Sequence, residues 1–304
     1  MPNAPLADRL DGLLFFPVTA FDDTGAVALD PFREHVRHGI EAGAAGVFAA
    51  CGTGEFSALD LDEFSACIAA AVEVADGRVP VVAGAGYGTA LGKQFLDRAA
   101  AAGADGALVL PPYLVDGGQE GLREHYEQLA DDADLDLIIY QRGSAIFEPA
   151  TVAALARHPR IVGFKDGHGD VDLMQRIITT DHSDLLYLNG LPTAEVSQAA
   201  YRAIGVNVYS SAVFCFAPEI AMAFYSALHG GDDALVQRLL DEFYVPFVEL
   251  RRLGAGYAVA LVKAGVRLGG LDVGTVRAPL REPDDEHVKA LAELIERGRR
   301  IVRA

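Results

Sequence analysis

The sequence predicts an α/β protein built as a (β/α)8 TIM barrel with a C-terminal helical extension, and three observations carry that prediction. Eight short apolar runs bounded by Gly, Pro or Asp recur along the chain; helix-like segments with recognisable starts lie between them; and further helical stretches follow the eighth run with no strand among them. Strand alternating with helix is the pattern of a parallel sheet joined by crossover helices. Eight such units close into a barrel.

Taken in order, strands are expected near residues 13–18, 45–50, 79–83, 106–110, 135–140, 161–165, 185–189 and 205–209. Helix starts are marked by Asp30 ahead of Pro31, Asp60 ahead of the 61–74 stretch, Thr89, Pro149 in a first turn, Asp170 and Pro192. Short acceptor side chains satisfy the free N–H groups of a first turn, and proline tolerates that position because its missing N–H is not needed there. Later helices are expected near 218–229, 234–252, 257–268 and 285–302, which divides the chain into a catalytic barrel over 1–229 and a C-terminal helical region over 230–304.

Composition narrows the function classes. Half of the 304 residues are hydrophobic (51 %), so the chain can bury a sizeable core. Lys and Arg total 25 against 43 Asp and Glu, a formal charge of -18. Such a surface repels phosphate backbones and anionic lipid, so no nucleic acid and no membrane partner is expected. A small anionic substrate remains compatible, because one local cation or N–H cradle outweighs distant, screened carboxylates. Cys51, Cys67 and Cys215 are an odd set in apolar surroundings and read as buried reduced thiols. No run approaches a membrane span and residues 1–11 lack an export pattern, which places the protein in the cytoplasm.

Signature motifs for other chemistries are missing. The AGAGYG stretch offers Gly84, Gly86 and Gly88 with Thr89 where a dinucleotide fingerprint needs its last glycine, and reads as a tight strand-to-helix turn. No phosphate-loop, zinc-protease or serine-hydrolase motif occurs. The eight histidines show no ligand spacing and His168 is expected in a loop, so neither a metal nor another cofactor is expected.

A barrel of this kind builds its site at the C-terminal ends of the strands. The sixth strand finishes on Lys165 after apolar residues. Poor solvation there favours the neutral amine, which can attack a carbonyl; the plainer alternatives are a lysine that reaches water or pairs with Asp166. Tyr140 closes the neighbouring fifth strand, close enough to move protons for that amine, unless it merely fills the barrel end. After the second strand, Gly52, Thr53 and Gly54 form a turn whose N–H groups can cradle a carboxylate, or which simply connects strand to helix. On the eighth strand Val206 and Val208 are expected to face the helices, leaving Asn207 and Tyr209 inward and Ser211 just beyond. Arg142 offers a cation for a second carboxylate or a surface ion pair.

PVTAF at 17–21, GTGE at 52–55, PPY at 111–113, the strand-end Tyr140 and GFK at 163–165 occur in an order that resembles the dihydrodipicolinate synthase and N-acetylneuraminate lyase family. The resemblance implies a (β/α)8 barrel with a C-terminal helical part, usually a homotetramer, that binds α-keto acids as Schiff bases on Lys165 with Tyr140 as proton carrier. Dihydrodipicolinate synthases carry two threonines in the turn and a second tyrosine after the PPY-like motif, where this chain has Gly52 and Leu114. YQR, FKDG and LNGLPTAE are instead similar to a decarboxylating dehydratase branch acting on a keto sugar diacid. On that reading Arg142, Asn189, Asn207 and Ser211 are candidates to hold the distal hydroxyl and carboxylate. The alternatives are an aldolase releasing pyruvate from a 2-keto-3-deoxy sugar acid and a non-catalytic keto-acid sensor.

Overall fold

The computed structural model describes residues 4–112, 114–181 and 183–303. Its centre is a closed barrel of eight parallel strands in sequential order: β1 (Leu13–Phe15), β2 (Gly46–Ala49), β3 (Val81–Ala85), β4 (Gly106–Val109), β5 (Asp136–Gln141), β6 (Ile161–Asp166), β7 (Leu186–Asn189) and β8 (Val208–Ser210). A four-residue helix, α1 (Leu6–Arg9), precedes the barrel. It plugs the N-terminal end: side chains added at Gly46 and Gly106 would run into Leu10 and Leu6.

Crossover helices follow the strands as α2 (Leu29–Glu41), α3 (Leu61–Ala75), α4 (Thr89–Ala101), α5 (Gly118–Asp131), α6 (Pro149–Leu155), α7 (Val171–Thr180) and α8 (Glu195–Ala203). Asp60 caps α3 by accepting from the N–H groups of Asp62 and Glu63 at 2.9 and 2.8 Å, and Glu63 reaches back to the Asp60 N–H at 3.2 Å. Asp170 caps α7 by accepting the Leu173 N–H at 2.9 Å, and Pro149 opens α6. Two starts differ from expectation. α2 begins at Leu29, with Asp30 inside its first turn, and α8 begins at Glu195, leaving Pro192 in the preceding turn. Gly84 also belongs to β3 rather than to a turn, and its bare Cα lets the Ala50 carbonyl of β2's exit approach.

After β8 come α9 (Pro218–Gly230), α10 (Asp233–Leu239), a π-helical turn (Leu240–Tyr244), α11 (Val245–Arg252), α12 (Tyr257–Leu268) and α13 (Asp285–Arg303). The π turn splits the single helix expected over 234–252, and Pro246 stands just after it, where a missing N–H is cheapest to accommodate. Among the described residues no helix is long and apolar enough to cross a membrane. All three cysteines are free and buried.

Side-chain parity separates two cores. Leu14, Phe48, Val82, Leu108, Ile138, Leu188 and Val208 fill the barrel interior, while their strand neighbours face the helix layer. Val206 lies in the helix-facing core as expected, but β8 itself, from Val208 on, faces opposite to the expected way. Val208 points in, Tyr209 points out against Tyr225, and Asn207 is exposed before the strand starts. Polarity misled the sequence reading because the middle of this barrel is dry, and the buried hydroxyl of Tyr209 belongs to the layer between barrel and helices.

Candidate active site

Strand register brings Lys165 and Tyr140 side by side, since Tyr140 pairs with Lys165 and Lys165 pairs with Leu188. Gly163 pairs with Ile138 one layer below, and the space a side chain there would use is taken by Ile138. Above that apolar floor Lys165 is only 4 % exposed. Its Nζ lies 4.0 Å from the Tyr140 ring centre and 5.0 Å from that of Phe16, which stacks on Phe48.

Among the described residues Lys165 forms no ion pair. Asp166 has the other parity and faces outward, where it accepts from Gln141 Nε2 at 2.9 Å, from the His168 and Gly169 N–H groups and from the Tyr201 hydroxyl. The neighbouring carboxylate is thus fully engaged elsewhere. Burial is the main force on the amine and holds its pKa below the ordinary lysine value; Tyr140 opposes the shift and Arg142 adds to it. Burial alone would raise the Tyr140 phenol, but the Lys165 and Arg142 cations outweigh it and bring its pKa below the usual value. Arg142 donates to the Tyr140 oxygen at 3.1 Å, and that hydroxyl donates to the Gly190 carbonyl at 3.1 Å. Cys51, close enough to feel Lys165, is pushed up to about 12 by its burial. It is a thiol at neutral pH.

A cavity of about 470 Å³ opens over these groups. Of the residues singled out in the sequence, Lys165, Tyr140, Arg142, Gly52, Thr53 and Ser211 line it. The N–H groups of Gly52 and Thr53 make no hydrogen bond among the described residues, which leaves two donors for an anion. Gly54 does not line the cavity; it packs against Pro17 and Ala50, and its carbonyl accepts from buried Thr19 at 2.7 Å. Asn207 lies outside the mouth on the barrel's far surface, beside Arg202 and Asp233. Asn189 also faces away, with Nδ2 within hydrogen-bonding distance of the Ala194 carbonyl (3.3 Å), Ser197 Oγ (3.1 Å) and Gln198 Oε1 (2.9 Å). Its Oδ1 accepts the Leu191 N–H, so it shapes the loop after β7 rather than the cavity. Tyr113 lies outside the described residues, and Leu114 is exposed with a positive φ of 61°.

The loop held by Asn189 supplies what the sequence reading missed. Gly190 offers its carbonyl to Tyr140 and, at 3.4 Å, to Lys165 Nζ. A Cβ on Gly190 would stand 2.5 Å from that Nζ, so only glycine allows the lysine its place. Gly190→Ala is expected to displace the amine and lower the rate of borohydride trapping by keto acid at least tenfold while leaving the barrel folded; an unchanged trapping rate would show that the close approach is immaterial. Leu191 and Pro192 continue the wall, and α12 contributes Ala258 and Val259 from the C-terminal helices. The helical extension is thereby part of the cavity.

A family model described as the dihydrodipicolinate synthetase family matches residues 9–297. A protein of Streptomyces avermitilis named "Probable 5-dehydro-4-deoxyglucarate dehydratase 1" is 62 % identical over 305 residues, covering 98 % of this chain and 97 % of its own. Dihydrodipicolinate synthase from Oceanobacillus iheyensis shares the fold with a TM-score of 0.88 at 23 % identity, over 95 % of this chain and 97 % of that one. A prophage protein of the dihydrodipicolinic acid synthase family from E. coli K12, solved in complex with pyruvate, matches with a TM-score of 0.85 at 26 % identity over 95 % and 98 % of the two chains.

Proposed function

The chain belongs to the dihydrodipicolinate synthetase family, and from that premise we propose that it is a lyase, a decarboxylating dehydratase that converts 5-dehydro-4-deoxy-D-glucarate to 2,5-dioxopentanoate, CO2 and water through a Schiff base on Lys165. One observation carries the reading: a desolvated lysine without a carboxylate partner stands beside a tyrosine on the floor of a cavity that also presents free backbone N–H groups and an arginine. The name carried by the relative at 62 % identity supports the choice of substrate within the family.

The chemistry follows from one electron sink. Neutral Nζ adds to the substrate ketone, and loss of water leaves an iminium that acidifies the neighbouring CH2. A proton leaves that carbon, hydroxide departs from the next one with a proton supplied to it, and the new double bond is conjugated to nitrogen. The C–C bond to the distal carboxylate then breaks, its electron pair flows along the conjugated chain into the iminium, and CO2 leaves. Protonation of the resulting dienamine and hydrolysis free the lysine and give the aldehyde. Summed over the cycle, one solvent proton is consumed.

The positions of the site residues support the following roles. The Gly52 and Thr53 N–H groups hold the carboxylate next to the ketone, Tyr140 passes protons at the reacting carbon and nitrogen, and Arg142 fixes the distal end. Incubation of the purified protein with 5-dehydro-4-deoxyglucarate is expected to release CO2 and 2,5-dioxopentanoate in equal amounts. Pyruvate without CO2 would falsify the dehydratase in favour of an aldolase.

A further inference from the structure

We propose that Glu195 is a positioning residue for dehydration, setting the Ser211 hydroxyl as the proton donor to the departing substrate hydroxyl; this rests on the dehydratase reading of the cavity. Ser211 lines the cavity and is itself buried, and its Oγ donates to Glu195 Oε1 in a short hydrogen bond while accepting the Phe214 N–H at 3.1 Å. When Glu195 carries a proton the bond reverses, the carboxyl donating to Ser211 Oγ, and the serine's own proton is left for the cavity that Ser211 lines. Glu195 is 1 % exposed, and its second oxygen, Oε2, has no hydrogen-bond partner among the described residues.

The groups around the carboxyl explain its state. The Tyr209 phenol faces it from β8 and the Tyr244 phenol from the π turn; Tyr244 lies near enough to act on the carboxyl as a weak hydrogen-bond partner, although neither hydroxyl reaches full hydrogen-bond geometry among the described residues. Arg251 of α11 is the cation that faces it, and its guanidinium is turned to Thr193. No lysine or arginine pairs with Glu195 among the described residues. Burial therefore dominates and raises the carboxyl to about 7, against the smaller opposing effects of Ser211 and Arg251. Near neutrality the carboxyl carries a proton that it can give up, which is the property wanted of a general acid.

The step balances. The C–O bond breaks as the Ser211 Oγ–H proton passes to the leaving oxygen, and water departs. The Glu195 proton moves to Ser211 Oγ at the same time, leaving a carboxylate that solvent reprotonates before the next turnover. When Glu195 is ionised the serine can only donate back to it, and the leaving hydroxide receives no proton.

The test compares the intact protein with Glu195→Gln, which keeps size and a hydrogen bond to Ser211 but has no acidic proton. In the unmodified protein kcat for CO2 release should fall as pH rises through about 7, because the protonated carboxyl is lost. Glu195→Gln is expected to lower kcat roughly 100-fold at pH 6.5, in the range of a lost general acid, and to abolish that alkaline limb. Borohydride trapping with pyruvate, which needs Lys165 but no leaving group, should stay within about threefold of the unmodified rate, a result that a merely structural role would not give. Should Glu195→Gln fail to fold, Ser211→Ala is expected to show the same loss and the same flat profile. Retention of the limb in either folded variant overturns the relay while leaving the dehydratase standing. If the unmodified protein releases no CO2 at all, the proposed function falls and the relay falls with it.

Discussion

Lys165→Ala should lower turnover on the order of 10⁵-fold, the advantage that a covalently held reactant gains over one free in solution. Lys165→Arg should rescue nothing, since a guanidinium has no neutral form at accessible pH and cannot add to a ketone. Borohydride in the presence of keto acid is expected to add the mass of the keto acid less one oxygen atom to the peptide carrying Lys165 in the unmodified protein, water being lost and two hydrogens gained, and to leave both variants unlabelled. Turnover that survives the alanine variant would remove the covalent mechanism entirely. The pH dependence provides a second check. Burial depresses the folded-state pKa of this lysine, so the amine becomes available, and kcat/KM rises, with increasing pH through that depressed value rather than at the ordinary 10.5.

The same shift makes a statement about stability, and its sign differs from the usual salt-bridged case. Between the depressed folded value and 10.5 the unfolded chain holds a proton that the folded chain has released, so stability rises with pH across that window. At neutral pH the buried amine is a cost to folding. Lys165→Met should therefore melt no lower than the parent protein, even as it loses all activity. On the proposed mechanism stability and function are opposed at this position, as is common where a group is held ready for chemistry.

The barrel was legible because its signal is local. Each strand announces itself by a short apolar run and each helix by its cap, and Asp60, Pro149 and Asp170 stand where those rules place them. Lys165 and Tyr140 were legible for the same reason: a polar residue ending an apolar strand on the C-terminal side of a barrel has few other places to go. Parity on β8 was not, because a three-residue strand carries too little alternation to fix its own facing. Asn207 was chosen on that mistaken parity and Asn189 for its polarity, which does not distinguish a side chain that binds ligand from one that pins a loop. Gly190 and Glu195 carry a signal only in three dimensions, since their partners Tyr140 and Ser211 lie 50 and 16 residues away in sequence. Lys263 was more readable than it was read: a charge inside YAVALVKAGV interrupts an apolar helix face, and a buried cation requires a partner.

That partner is Glu55, 208 residues distant, and the pair yields the largest stability effect expected in the molecule. Lys263 Nζ donates to Glu55 Oε1 at 2.9 Å with the two side chains 0 % and 1 % exposed, and the Arg277 N–H donates to Oε2 at 2.8 Å. Both cations also lie over the Phe21 ring, at 4.0 and 4.1 Å. Glu55 holds a left-handed backbone at φ 57° as it closes the Gly52 to Gly54 turn, so the ion pair fastens α12 to the backbone that presents the free N–H groups. Lys263→Ala leaves the carboxylate buried with a single N–H partner, a situation that costs about 3–5 kcal/mol. Urea unfolding should show the midpoint falling accordingly, and KM for the acid should rise in whatever fraction remains folded, because the turn has lost its anchor. Glu55→Gln combined with Lys263→Met removes both charges together and should recover most of the lost stability, since desolvation nearly cancels the attraction in such pairs. It should not recover KM, because no ionic contact then ties α12 to the turn. A loss below about 1 kcal/mol in the single variant would mean that water reaches the pair, and the coupling of the C-terminal helices to the anion cradle would have to be abandoned.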